Sequence, residues 1–138
     1  MNRRRMSLLL VSIILVLLYG STYLPHKIVK VTPSKVSKIV IFNGNTGYQI
    51  EINEKEDIEY IIRNLNGISF QKGKMTSGYM GYSFRTTIYN NKGKSVKGLV
   101  INTTDTVRFN GFFYKAKNNL IDYGYIESMF EKYPLKGP

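Results

Sequence analysis

The chain has 138 residues, 43% of them hydrophobic, which leaves room for one domain around one core. It contains no cysteine, so disulfides, thiolate metal sites, cysteine nucleophiles and a lipid-modified cysteine are all excluded. The net charge is +11; setting Arg3, Arg4 and Arg5 aside leaves 17 Lys/Arg against nine Asp/Glu, a balance that attracts anionic lipid headgroups, anionic wall polymers or nucleic acid and also serves plain solubility.

Arg3-Arg4-Arg5 precede an apolar run from Met6 to Tyr19, broken only by Ser7 and Ser12, and a milder stretch leads on to Leu24 before Pro25. A basic head followed by an apolar stretch is the form of a secretory signal. As a helix, Met6 to Leu24 would span roughly 28 Å, close to the thickness of a bilayer's hydrocarbon core. Cleavage needs small residues at the last position and two before it. Cutting after Ser21 or Gly20 puts Tyr19 or Leu18 at the earlier position, and only a cut after Thr22 is tolerable. This favours a signal-anchor over residues 1–24, with residues 6–24 in the membrane as a single-pass span; the alternative is a protein secreted after cleavage. The three arginines favour a cytoplasmic N-terminus and an external C-terminal domain, although Lys27, Lys30, Lys35 and Lys38 on the far flank reduce the asymmetry.

Residues 25–35, with Pro25, Pro33 and an extended Lys-Ile-Val-Lys-Val stretch, read as a linker, and residues 36–138 as the folded domain. Val36 to Asn43 and Tyr48 to Ile52 are predicted strands around a glycine-containing loop, Asn43 to Gly47. A helix follows: Asn53 and Glu56 have capping-box spacing, acidic residues crowd the first turns, Ile58, Ile61, Ile62 and Leu65 recur at helical intervals, and Gly67 is placed to end it. Its position at a helix start accounts for the acidic cluster without a metal.

Ile68 to Phe70 begins another strand. The loop after it has Gly73 and Gly78 at P-loop spacing, but Tyr79-Met80 replaces the required Lys-Ser/Thr pair and a strand follows, so phosphate binding of that type fails. Tyr82 to Asn90 alternates and turns through Asn90-Asn91-Lys92-Gly93 into Val96 to Asn102. Asn110-Gly111 is the pair that a two-residue type I′ hairpin turn prefers. Folding about it pairs Phe109 with Phe112 and Val107 with Tyr114 on one face, leaving Thr106, Arg108, Phe113 and Lys115 on the other. A last helix runs from about Asp122 to Tyr133, before Pro134. The expected fold is α+β: an antiparallel sheet with two helices packed on one face, preceded by one N-terminal transmembrane helix. Strand order is not readable.

For chemistry the sequence offers mainly absences. His26 is the only histidine, too little for a triad or a zinc site. Asp105, Asp122, Glu127 and Glu131 leave a carboxylate hydrolase acting on wall glycans as a minor alternative, but Asp122 fits a helix N-cap and the two glutamates a solvated face. No enzyme activity, cofactor or metal is expected. The suggestive pattern is aromatic: Tyr79, Tyr82 and Phe113 stand among Arg85, Arg108 and Lys115. Such interleaving is used by protein interfaces and by single-strand nucleic-acid binders, and core aromatics alternating with solvated charges would look the same. These six residues form the candidate binding surface. Its expected partner is a protein or an anionic envelope polymer, with nucleic acid the alternative disfavoured by an external location.

The stretch from Lys72 to Lys117, with Gly78-Tyr79-Met80-Gly81-Tyr82-Ser83 and Asn110-Gly111-Phe112-Phe113-Tyr114, resembles a family of small domains found in secreted and membrane-anchored proteins of low-GC Gram-positive bacteria. The resemblance implies an extracytoplasmic single domain and no particular activity.

Overall fold

The computed structural model describes residues 2–81 and 83–138. The N-terminal run is one helix, α1 (Arg3–Ser21), long and apolar enough to cross a membrane and with no buried residue. Its two internal hydroxyls are satisfied within the helix, Ser7 donating to the Arg3 carbonyl at 3.0 Å and Ser12 to that of Leu8 at 2.9 Å. A polar group left unpaired in lipid would cost several kcal/mol, roughly as much as burying one dry.

The rest is α+β. Seven strands, β1 (Val36–Asn43), β2 (Gln49–Ile52), β3 (Phe70–Met75), β4 (Phe84–Asn90), β5 (Ser95–Ile101), β6 (Thr106–Phe109) and β7 (Phe112–Ala116), form one antiparallel sheet in the order β2-β1-β4-β5-β6-β7-β3. Strands β4 to β7 are a meander, the β1–β2 hairpin lies on one side of it, and β3 closes the far edge against β7. Helices α2 (Lys55–Asn66) and α3 (Tyr123–Lys132) complete the fold.

The period-2 alternation decides which residues meet the helices. Ile39 and Ile41 of β1, Ile50 and Ile52 of β2, Phe84 and Ile88 of β4, and Leu99 and Ile101 of β5 are buried. They join Ile58, Ile61, Ile62 and Leu65 of α2 and Ile126 and Met129 of α3 in a single cluster. Each such side chain contributes roughly 1.5–3 kcal/mol on burial, before conformational entropy is subtracted. The Asn110-Gly111 turn has φ of 47° and 81° at its two residues, as a type I′ turn requires, and the register pairs Phe109 with Phe112 and Val107 with Tyr114.

Three local features differ from expectation. The capping box at Asn53 does not form: Glu54 is the N-cap of α2 and its side chain makes no cap bond. A tertiary partner occupies that end instead, the Tyr133 hydroxyl accepting from the Glu54 amide at 3.3 Å. The acidic helix start also has a role that its sequence position does not reveal. Asp57 is buried and accepts from Tyr125 Oη at 2.7 Å, Tyr133 Oη at 2.6 Å and Lys132 Nζ at 2.7 Å, tying α2 to α3.

The third difference concerns residues 25–35, read as a linker. They are docked on the domain. Ile28 and Val29 lie in the core, His26 exchanges two backbone hydrogen bonds with Phe70 on the outer edge of β3, and the Asn66 amide bonds both the amide and the carbonyl of Val31. The opposite edge is covered in the same way, with Gln49 of β2 exchanging backbone bonds with Lys136. Covered edges are how sheets avoid pairing with other chains.

Candidate binding face

With one face of the sheet committed to the helices, the other is open, and the register arranges its side chains in rows. Across four neighbouring strand pairs, Phe42 stands opposite Arg85, Arg85 opposite Val100, Val100 opposite Arg108, and Arg108 opposite Phe113. Residues so paired share a face, so this is a continuous transverse row of aromatic, cation, aliphatic, cation and aromatic groups. Lys115 follows two positions after Phe113 on the same face. Tyr79 reaches the row from the β3–β4 connection, its ring edge-on to Phe113 with centroids 5.0 Å apart. Thus Tyr79, Arg85, Arg108, Phe113 and Lys115 are brought to one face; Tyr82 lies outside the described residues.

The cations are held by the aromatics. The Arg85 guanidinium is 5.7 Å from the Phe42 ring, Arg108 is 5.7 Å from Phe113, and Lys74 is 4.6 Å from Tyr79, whose hydroxyl it also bonds. Arg108 Nε donates to Asn102 Oδ1 at 3.2 Å, which fixes the plane of its guanidinium. Lys115 pairs with Asp105 at 3.3 Å. The hydroxyls of Thr106 and Thr103, with Lys115 behind them, hold the Asp105 carboxyl below its usual value. Lys115 is therefore partly neutralised, whereas the Arg85 and Arg108 guanidiniums stand within the row itself and Lys74 joins them from β3.

Between those two arginines lies a hollow of about 430 Å³ whose lining includes Thr87, Gly98 and Val100. Gly98 faces Thr87 across the β4–β5 ladder, and nothing lies within 4 Å of the position its Cβ would take. The absent side chain leaves the depression. Two guanidiniums two strand spacings apart, roughly 10 Å, over an apolar floor suit a ligand with a flat or apolar body flanked by negative groups.

Sequence reasoning missed Phe42, Val100 and Gly98. A signal was present in β1, where Val40 and Phe42 occupy the face opposite Ile39 and Ile41. A strand apolar on both sides has more hydrophobic surface than a solvated face needs. The remaining candidates have local duties: Asp122 caps α3, accepting from the Tyr125 amide at 3.1 Å, and also accepts from Tyr60 Oη at 2.6 Å. Among the described residues no group of three His, Asp or Glu side chains is placed to hold a metal ion.

The chain matches no protein-family model, no curated protein and no solved structure. The functional reading therefore rests on the geometry above.

Proposed function

We propose that the protein is a membrane-tethered binding or regulatory module that presents the open face of its sheet, outside the cytoplasm, to a protein or an anionic envelope polymer. The observation that carries this reading is the row Phe42–Arg85–Val100–Arg108–Phe113 with its hollow. Aromatics concentrate binding energy at interfaces because they bury large areas with little loss of freedom, and arginines because their planar fork makes several directed contacts. The apolar helix at the N-terminus and its arginine head support the tether and the orientation.

A photo-crosslinking amino acid at Val100, at the centre of the row, tests the site in living cells. The expected result is a discrete adduct whose yield drops at least about tenfold, the cost of losing one hot-spot residue, in each of Arg85→Ala, Arg108→Ala and Phe113→Ala while the fold survives. The same crosslinker at Glu127, on the exposed side of α3, is the control. Equal adducts from both positions, or yields unmoved by the three alanines, would sink the face as the binding site. Protease added to intact protoplasts tests the orientation, because a C-terminal tag should be removed from outside.

A further inference from the structure

A second basic feature lies away from the open face. Residues 27–35 and the start of β5 enclose a groove of about 590 Å³ whose lining includes Lys27, Lys30, Lys35 and Lys97. No acidic side chain lines it, and among the described residues none of these four lysines takes part in an ion pair. Four lysine side chains lining one hollow without an acid give it a positive field, which an anion placed there would neutralise. The frame is fixed: Ile28 and Val29 are anchored in the core, and the Lys35 carbonyl accepts from the Asn91 amide at 3.1 Å.

The groove's position narrows the choice of anion. Lys97 lies 4.8 Å from the ring of Phe109. Phe109 in turn helps line a neighbouring hollow with Ser21, Thr22 and Leu24, where α1 ends. In that neighbourhood the Lys72 ammonium sits 3.9 Å from the Phe112 ring, 4.9 Å from Tyr23 and 5.6 Å from Tyr19. Tyrosines with a lysine at the end of an apolar helix are the composition of a membrane–water interface. The lysine groove thus opens beside the level at which lipid headgroups would stand.

We infer that this groove binds the phosphate of an anionic phospholipid in the membrane that α1 enters, an inference resting on the proposal that α1 is a membrane anchor. Lysine suits the task, since it meets a phosphate as a mobile point charge without the planar geometry arginine imposes.

The test uses the full chain in nanodiscs of equal phosphatidylcholine and phosphatidylglycerol, with the lipids that remain bound counted by native mass spectrometry. Phosphatidylglycerol should be retained over phosphatidylcholine. The K30Q/K97Q variant should lower that preference roughly tenfold or more, and the charge-matched K55Q/K117Q variant should keep it. Equal retention of the two lipids, or equal losses in both variants, would overturn the inference. Inorganic polyphosphate that binds in pure phosphatidylcholine discs through Lys30 and Lys97, with no phosphatidylglycerol preference in mixed discs, would reassign the groove to a soluble polyanion and overturn it as well. A chain stripped from the discs by alkaline carbonate would mark failure of the anchor itself. One that stays without lipid preference would mark failure of this inference alone.

Discussion

Gly98 is the residue on which the open face turns. It lies within β5, where glycine is the costliest residue to order and contributes no packing. Its backbone does not require glycine, since a Cβ there would meet nothing within 4 Å and its φ is not in the left-handed region. Gly98→Val should therefore raise stability by about 0.5–1 kcal/mol, through lower unfolded-state entropy and a better strand former. The same substitution fills the hollow between Arg85 and Arg108 and should abolish the adduct formed from Val100. Thermal denaturation of the full chain in detergent, paired with the crosslinking yield, reads both effects. A variant that is more stable but equally competent in binding would show that the hollow holds no part of the ligand.

Between elements, the clamp at Asp57 joins two helices that meet the same core. Burial disfavours the Asp57 charge, yet hydrogen bonds from Lys132, Tyr133 and Tyr125 outweigh it and hold the carboxyl below its usual value. Asp57→Ala would leave two phenols without their acceptor at the α2–α3 contact. Lys132 would suffer less, being partly exposed and still paired with Glu54 at 2.7 Å. The expected loss is about 3 kcal/mol, the low end for breaking a buried ionic contact. Tyr133→Phe removes both the bond to the Asp57 carboxylate and the acceptor of the Glu54 amide and should lose about 2–3 kcal/mol, the upper range for a hydrogen bond to a charged group. Urea denaturation measures both, and a change below about 0.5 kcal/mol in Asp57→Ala, the scale of an ordinary surface substitution, would mean that the clamp is ornamental.

These elements also show what was legible in the sequence. The strands and helices could be read because burial imposes a period on neighbouring residues: Ile58, Ile61, Ile62 and Leu65 on α2, or Phe84 and Ile88 on β4. The type I′ turn could be read because few residue pairs other than Asn110-Gly111 tolerate two positive φ angles. What could not be read depends on partners far along the chain. Asp57 is 76 residues from Tyr133, and the same tyrosine, not a local side chain, bonds the Glu54 amide at the start of α2. The docking of residues 25–35 rests on Phe70 and Asn66, and two apolar residues between lysines do not announce it. At the candidate face, the cation–aromatic alternation within strands was visible, whereas its alignment into one row waited on the strand order.

For the whole molecule, the ionic contacts set a pH window. Hydrogen bonds from Lys136 and then Lys38 draw the Glu51 carboxyl down to about 2, and Asp57 is depressed as well. A carboxyl whose pKa is lower folded than unfolded stabilises the protein fully above the unfolded value, about 4, and loses that contribution as pH falls through the folded value. At the alkaline end the sign reverses. Burial, and then the hydrogen bond to Asp57, push the Tyr125 phenol up to about 12, and the same causes raise Tyr133. Their contribution is complete below the unfolded tyrosine value, about 10, and is lost as pH rises through the folded values. The melting temperature should therefore stay level from about pH 5 to pH 10 and fall on either side. Melting curves recorded between pH 2 and pH 12 check this. The acid slope should flatten in Glu51→Gln/Asp57→Asn, and an unchanged slope would place the acid transition elsewhere.

The two backbone bonds between His26 and Phe70, with Lys72 lodged against Tyr19 and Tyr23, make the join between helix and domain a bracket rather than a leash. A leash lets a domain tumble and search a hemisphere. A bracket narrows that search, since only residues 22–25 separate the end of α1 from the rung at His26. Tension between helix and domain would be carried first by the outermost rung of the sheet, the pair His26–Phe70.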